Sequence, residues 1–229
     1  MTKLLFGLAL SILLTASAAQ EFDPMSGVKE ACKPHVCSEG YQPVPKLPLN
    51  FTSSGCNSIG GISTFRMEAR HEPGLPCCHM RAACYQICGM SMKKCDDIFK
   101  KCNDSICDSI EDEAVKEKCV TATSMHNMLA GMMDCGPFEH QQHNNCGCME
   151  KSKALSWNKK VIHEFYAKYA RHQLDKAENL GAKADTTSNL ANLMLKLIQK
   201  YPKSIAYIND PGSDAPKEMG MDDFDNYEF

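Results

Sequence analysis

Apolar residues are grouped in distinct patterns along the chain. Leu4 to Leu14 is an apolar run, too short to span a bilayer. Val161, Ile162, Phe165, Tyr166 and Tyr169 recur at helical intervals, as do Leu190, Leu193, Met194, Leu197 and Ile198. These patterns predict two amphipathic helices, the second starting after Thr186-Thr187-Ser188 and stopping before Pro202. Both are expected to pack on each other or on a neighbouring core; contact with a membrane interface or lipoprotein is the alternative. Met125, Met128, Met132 and Met133, with Leu129, form a further helical stripe, read as core packing, or else as an adaptable surface for lipid or a partner. Pro24, Pro34, Pro43, Pro45 and Pro48 forbid a long helix in residues 20–55, which read as extended and turn-rich. Residues 210–229 open with Asp210-Pro211-Gly212, end in an acidic run with little to bury, and read as a flexible tail.

The chain has 229 residues, a net charge of −3, 23% charged and 43% hydrophobic residues. That composition excludes wholesale disorder, and the small mixed charge shows no basic stripe for nucleic acid. No repeat of solenoid length is present. The 14 cysteines change the picture, because all lie between Cys32 and Cys148. Lys3, the apolar run and the small residues Ala16-Ser17-Ala18-Ala19 have the layout of a cleavable secretory signal. A secreted protein uses such cysteines as disulfides, up to seven here, rather than as zinc ligands at Cys146-Gly147-Cys148. No later stretch is apolar enough to span a membrane. The chain therefore divides into a signal peptide (1–19), an extended segment (20–55), a disulfide-rich domain (56–148), a helical extension (149–209) and an acidic tail (210–229).

Within the cysteine-rich block, Cys77 and Cys84 are seven residues apart, as are Cys95 and Cys102, so each pair shares one helical face. Gly89 lies between them as a helix stop. Two antiparallel helices turning there would bring Cys84 beside Cys95 and Cys77 beside Cys102. This is the pattern of a disulfide-stapled helical hairpin.

Pro76-Cys77-Cys78-His79-Met80-Arg81-Ala82-Ala83-Cys84-Tyr85 resembles the active-site helix of secretory phospholipases A2, whose pattern is C-C-x-x-H-D-x-C-Y. The run Cys84-x3-Cys88-Gly89-x-Ser91-x3-Cys95-Asp96-x2-Phe99-x2-Cys102-x4-Cys107, followed by Cys119, Cys135, Cys146 and Cys148, is similar to the group XII branch. The resemblance covers about residues 54–148. It implies an all-α fold built on the hairpin, with bridges Cys84–Cys95, Cys77–Cys102 and Cys56–Cys78. Pairing of the other eight cysteines stays open.

The family's chemistry needs a neutral His as base, a buried Asp to orient it, and a calcium ion held by a Gly-rich loop and a carboxylate beside the His. The resemblance places Arg81 at the His position and Ala82 at the calcium-carboxylate position, with cysteine spacing leaving no room for a gap. A guanidinium stays protonated and cannot serve as a base, and an Ala methyl cannot ligate calcium. His79 is rotated about 200° from position 81 on a helix and should face away from the cleft, as a surface or interface histidine. Asp96 occupies the partner-carboxylate position and Tyr85 matches the tyrosine that helps hold it. With Arg81 opposite, Asp96 is expected to form a partly buried ion pair; a merely solvated carboxylate is the alternative. The segment Ser54-Gly55-Cys56-Asn57-Ser58-Ile59-Gly60-Gly61 resembles the start of the calcium loop, with Asn57 in place of a glycine. The calcium site, Gly55, Asn57 and Ala82, reads as degenerate.

Two N-glycosylation sequons are present, Asn50-Phe51-Thr52 in the exposed lead-in and Asn103-Asp104-Ser105 on the second hairpin helix; only Asn50 is expected to carry glycan. His140-Gln141-Gln142-His143 has metal-pair spacing but reads as a solvated polar loop. The resulting expectation is a secreted, non-catalytic phospholipase A2-like protein that binds phospholipid, lipoprotein or an extracellular protein, with no cofactor. The alternatives are a calcium-dependent phospholipase A2 cleaving the sn-2 ester, the one reading that requires calcium, and a disulfide scaffold for protein recognition without lipid binding.

Overall fold

Helix α1 (Leu75–Tyr85) is the centre of the structure, and nearly every face of it is buried. A helix enclosed on all sides has no need of a polar stripe, which suits a segment of Cys, Ala, Met and Tyr. Pro76 starts it, where its missing N–H costs nothing. The computed structural model describes residues 32–58 and 74–208. The segment read as a signal, the remainder of the calcium-loop resemblance with Gly60 and Gly61, and the acidic tail lie outside the described residues.

After α1 the chain turns through Gly89, at φ +80°, into α2 (Met92–Ile106), capped by Ser91 Oγ accepting from the Lys94 N–H. Met92, Cys95, Asp96, Phe99, Asn103 and Ile106 form its buried face. The hairpin is stapled by Cys84–Cys95 and Cys77–Cys102. Helix α3 (Glu113–Gly131) starts on Asp112, whose Oδ1 accepts from Ala114 and Val115 N–H. It lies on α2 through Cys119, Thr123, His126 and Ala130, and Cys107–Cys119 closes the intervening turn. Helix α4 (Gly136–Asn145) follows. Its buried Gln142 gives both amide hydrogens, each at 2.8 Å, to the carbonyl of Tyr85 at the end of α1 and to that of Ile87 in the turn after it.

The proline-bearing lead-in forms two short strands, so two small sheets accompany the helices. Strand β1 (Tyr41–Pro45) pairs antiparallel with β3 (Cys146–Glu150), and β2 (Phe51–Ser53) pairs in parallel with β4 (Ile205–Tyr207). The proline-resistant interior of a sheet is avoided because each sheet has only edge strands. Helices α5 (Lys151–Tyr169), α6 (Lys176–Ala182) and α7 (Thr187–Lys200) make up the extension. It is joined to the rest of the chain rather than merely appended: α7 packs on α1, and β4 completes the sheet of β2. Trp157 Nε1 donates to the Pro45 carbonyl and Lys168 Nζ to that of Leu49.

The eight cysteines left open by the sequence pair as Cys32–Cys135, Cys37–Cys148, Cys88–Cys146 and Cys107–Cys119, with Cys56 joined to Cys78. Each of the first three ties distant parts of the chain to the hairpin or its flank. Among the described residues no helix is long and apolar enough to cross a membrane.

Two readings are corrected. The methionine stripe is core only in part: Met128 is 58% and Met132 68% exposed, Met125 is half-buried, and Leu129 and Met133 pack inward. The reason is that α3 packs mainly on one neighbour, α2, through small and polar residues, leaving its outer side open. Residues 140–143 lie on α4, not in a loop; Pro137 initiates that helix and buried Phe138 and Gln142 anchor it.

The turn between the stapled helices has no room for a side chain. A Cβ at Gly89 would collide with the Thr187 methyl, and the backbone there is left-handed. Gly89→Ala is expected to destabilise the oxidised protein by about 1–3 kcal/mol. Urea unfolding checks this, and a neutral result would mean that α7 can move away freely.

Candidate functional site

Three residues of the hairpin meet beneath a cavity of about 360 Å³. Arg81 and Tyr85 are one turn apart on α1, so both point toward α2, where Asp96 stands opposite. Arg81 Nε donates to Asp96 Oδ1 at 2.7 Å. Arg81 Nη2 donates to the Tyr85 hydroxyl at 2.6 Å, and that hydroxyl donates in turn to Asp96 Oδ1 at 2.7 Å. The guanidinium is 4% and the carboxylate 8% exposed, so the pair is buried. The guanidinium also lies over the Tyr85 and Phe99 rings, at 4.6 and 5.5 Å. Burial, more than the neighbouring charges, drives the Tyr85 phenol far above its ordinary range, and it stays a neutral donor.

The cavity walls come from several parts of the chain. Ala82 and Gln86 of α1 lie beside the ion pair, Met133 and Pro137 come from the α3–α4 junction, Thr52 and Ser53 from β2, and Ile208 from the residue after β4. His140 and Gln141 stand at the edge, and His140 is exposed. Gln86 is fully engaged, bonding the Thr52 N–H and carbonyl and the Ala82 carbonyl.

His79 is a correction. It is 2% exposed, neither surface nor interface, and lies on the other side of α1 from Arg81 as helix geometry requires. What covers it is β2 and β4: Nδ1 is 2.9 Å from Ser53 Oγ, and the Tyr207 ring meets it edge-on. Ser53 Oγ already accepts from the Gly55 N–H, so its own proton is free to go to Nδ1. The distance is that of a nucleophile and its base. However, no carboxylate backs His79 among the described residues, and burial lowers the imidazole to about 4, a weak base. This pair ties β2 to α1.

The residues of the calcium resemblance do not fit that ion. Gly55 and Asn57 lie in a short 3-10 turn, Gly55–Ser58, with Gly55 at φ +69° and pressed toward Leu75 and Tyr207. Position 82 offers a methyl where a hard cation needs a carboxylate oxygen. Elsewhere, His35 with Cys37 and Cys148, and His126 with Cys56 and Cys78, lie close together, but their sulfurs are spent in disulfides. Of the two sequons, Asn50 is exposed, whereas Asn103 is 1% exposed and gives its amide to Asn127 Oδ1. Met133 and Ile208 were not singled out for the cavity by sequence reasoning. Nothing local marks them, since each arrives from a distant element.

A disulfide-stapled helical hairpin beneath a cleft is a phospholipase A2-type fold. The model of the group XII secretory phospholipase A2 precursor matches residues 17–155, and the chain belongs to that family. The mouse group XIIB secretory phospholipase A2-like protein is 24% identical over 147 residues, 60% of this chain and 74% of that protein. The mouse group XIIA secretory phospholipase A2 is 26% identical over 141 residues, 57% of this chain and 69% of that protein. Its human counterpart is 26% identical over 141 residues, covering 57% and 70%. No solved structure matches the chain.

Two measurements test this arrangement. Arg81→Met leaves Asp96 buried without its cation and is expected to cost about 3–5 kcal/mol, while Arg81→Met with Asp96→Leu recovers most of that loss. Unfolding midpoints of the oxidised variants check this; a single variant as stable as the double would show that water replaces the guanidinium.

For His79, the unfolded chain takes up a proton near the ordinary value of 6.5, while the folded chain resists it until about 4. The stability from this residue is therefore complete above pH 6.5 and declines as the pH falls toward 4. The decline is about 3 kcal/mol at most, from roughly 1.4 kcal/mol per pH unit. His79→Gln should flatten that part of the slope in urea titrations between about pH 7.5 and 4.5, and an unchanged slope counts against it.

Proposed function

We propose that this chain is a secreted, non-catalytic phospholipase A2-like protein that binds phospholipid surfaces with the apolar face around the mouth of the cleft above Arg81. The observation that carries the reading is the chain of hydrogen bonds from Arg81 to Asp96 and Tyr85. At the position where the family resemblance calls for a proton acceptor stands a cation with no lone pair to offer. It also uses up the carboxylate that would orient a base. Beside it, Ala82 removes the metal's carboxylate, so base and Lewis acid are lost together.

Retention of the cleft supports binding. Ala82, Tyr85, Met133, Pro137 and Ile208 keep an apolar lining around it, and the exposed Met128 and Met132 supply polarizable apolar surface on α3. Secretion is supported by the signal-like N-terminus, the seven disulfides and the secretory relatives. Glycan at Asn50 belongs to the same proposal.

The test is fatty-acid release from mixed phospholipid vesicles in millimolar calcium, with vesicle sedimentation alongside. Sedimentation without release is expected, and release abolished by Asp96→Ala would overturn the reading. Arg81→His with Ala82→Asp should give detectable but poor calcium-dependent release, improved by Asn57→Gly. Misplacement of a base by about 1 Å costs on the order of 100-fold. Full activity in the double variant would show that two side chains alone separate this protein from an enzyme.

A further inference from the structure

Arg81 has donors left over. Its Nε is given to Asp96, and Nη2 is given to the Tyr85 hydroxyl and, at 3.4 Å, to the Met133 sulfur. The third nitrogen, Nη1, has no hydrogen-bond partner among the described residues. Arg81 lines the cavity, so its small exposed fraction, and the two N–H bonds of Nη1, open there. With Nε and Nη2 turned to the carboxylate and the phenol, Nη1 occupies the corner of the planar group farthest from Asp96. An incoming anion at that corner is thus kept away from the resident carboxylate. Nothing else at the floor competes for it: the Tyr85 hydroxyl is spent on Asp96 and the Gln86 amide on backbone carbonyls.

The surroundings decide which anion. Ala82, Met133, Pro137 and Ile208 give the cavity a largely apolar wall above the guanidinium, with Thr52, Ser53 and Ser54 on one flank and His140 and Gln141 at the rim. About 360 Å³ is near the lower end for ligand sites, too small for a glycerophospholipid with two chains. A phosphodiester would also need room for two arms leaving the anion. A planar carboxylate on one unbranched chain needs one polar corner and one apolar exit, and matches the guanidinium edge. Met133 touches the adjacent Nη2 through its sulfur, a weak contact from an adaptable side chain.

We propose that the cleft is a binding site for a single fatty-acid anion, carboxylate on Arg81 Nη1 and chain running out past Ala82, Met133 and Ile208. This rests on the reading of the cleft as non-catalytic and lipid-binding, and gives it a ligand class. The residue that rules out base chemistry becomes the residue that holds the ligand.

The experiment is equilibrium dialysis of the full oxidised protein with radiolabelled laurate and, separately, methyl laurate, both below their aggregation limits. Saturable one-to-one binding of laurate is expected, with the methyl ester at least tenfold weaker. Arg81→Met with Asp96→Leu removes both charges together and should bring laurate down to the level of the ester. Ala82→Phe fills the cavity, leaves the ion pair in place, and should abolish binding of both. Circular dichroism confirms that each variant is folded. Equal binding of ester and acid by the wild type, no laurate binding, or laurate binding unchanged in a folded Ala82→Phe protein would each overturn the proposal. Sedimentation with phosphatidylcholine vesicles separates the two readings. Vesicle binding without laurate binding overturns the fatty-acid site alone, and laurate binding without vesicle binding overturns the phospholipid-surface reading alone.

Discussion

Cys77–Cys102 and Cys84–Cys95 clamp α1 to α2 at two points, and the Arg81–Asp96 contact lies between them. A buried ion pair is a poor source of net stability, because the cost of stripping water from both charges consumes most of their attraction. The clamps supply what the pair lacks. Two crosslinks restrict the unfolded chain and fix the helix separation, so the guanidinium and carboxylate meet without having to organise their own surroundings. The Tyr85 hydroxyl, accepting from the guanidinium and donating to Asp96 Oδ1, then joins the two charges through a third buried polar group. Cleft, charge pair and neighbouring walls all refer back to this spacing.

One substitution in such a frame reverses the polarity of the floor. A histidine there would alternate between accepting and donating a proton; an arginine only donates. Asp96 and Tyr85 serve a cation as readily as they would an imidazolium. The cation–π contacts with Tyr85 and Phe99 use rings that the hairpin buries in any case.

The hairpin was legible in the sequence because helical geometry turns cysteine spacing into distance. Seven-residue intervals on either side of Gly89 can place two pairs of sulfurs together in only one antiparallel arrangement. That Arg81 and Asp96 face each other was implied by the family resemblance, which puts them at the base and partner-carboxylate positions. What the sequence could not convey came from elements meeting across long separations. His79 looked like a surface residue because no local signal announces that β4, more than a hundred residues later, covers it. The methionines of α3 have helical periodicity, and periodicity alone does not say whether a partner lies on that side. The α4 segment hides its helix because its polar run is anchored by only Phe138 and Gln142.

Strand β4 pairs with β2 in parallel, Phe51 beside Ile205 and Ser53 beside Tyr207, and Ile208 donates its N–H to the Ser53 carbonyl. The last described residues thus finish a structure begun by some of the first. A ribosome delivers them in sequence, N-terminal parts first, so β2, His79 and one cavity wall must stay incomplete until the far end of the chain emerges. Contacts of such long range are slow to form. The stapled hairpin, whose crosslinks span few residues, can close early and wait. The cleft is then the last part to be finished, and a chain cut short after the region shared with its relatives would keep the hairpin but lack β4, the cover of His79 and the Ile208 wall of the pocket.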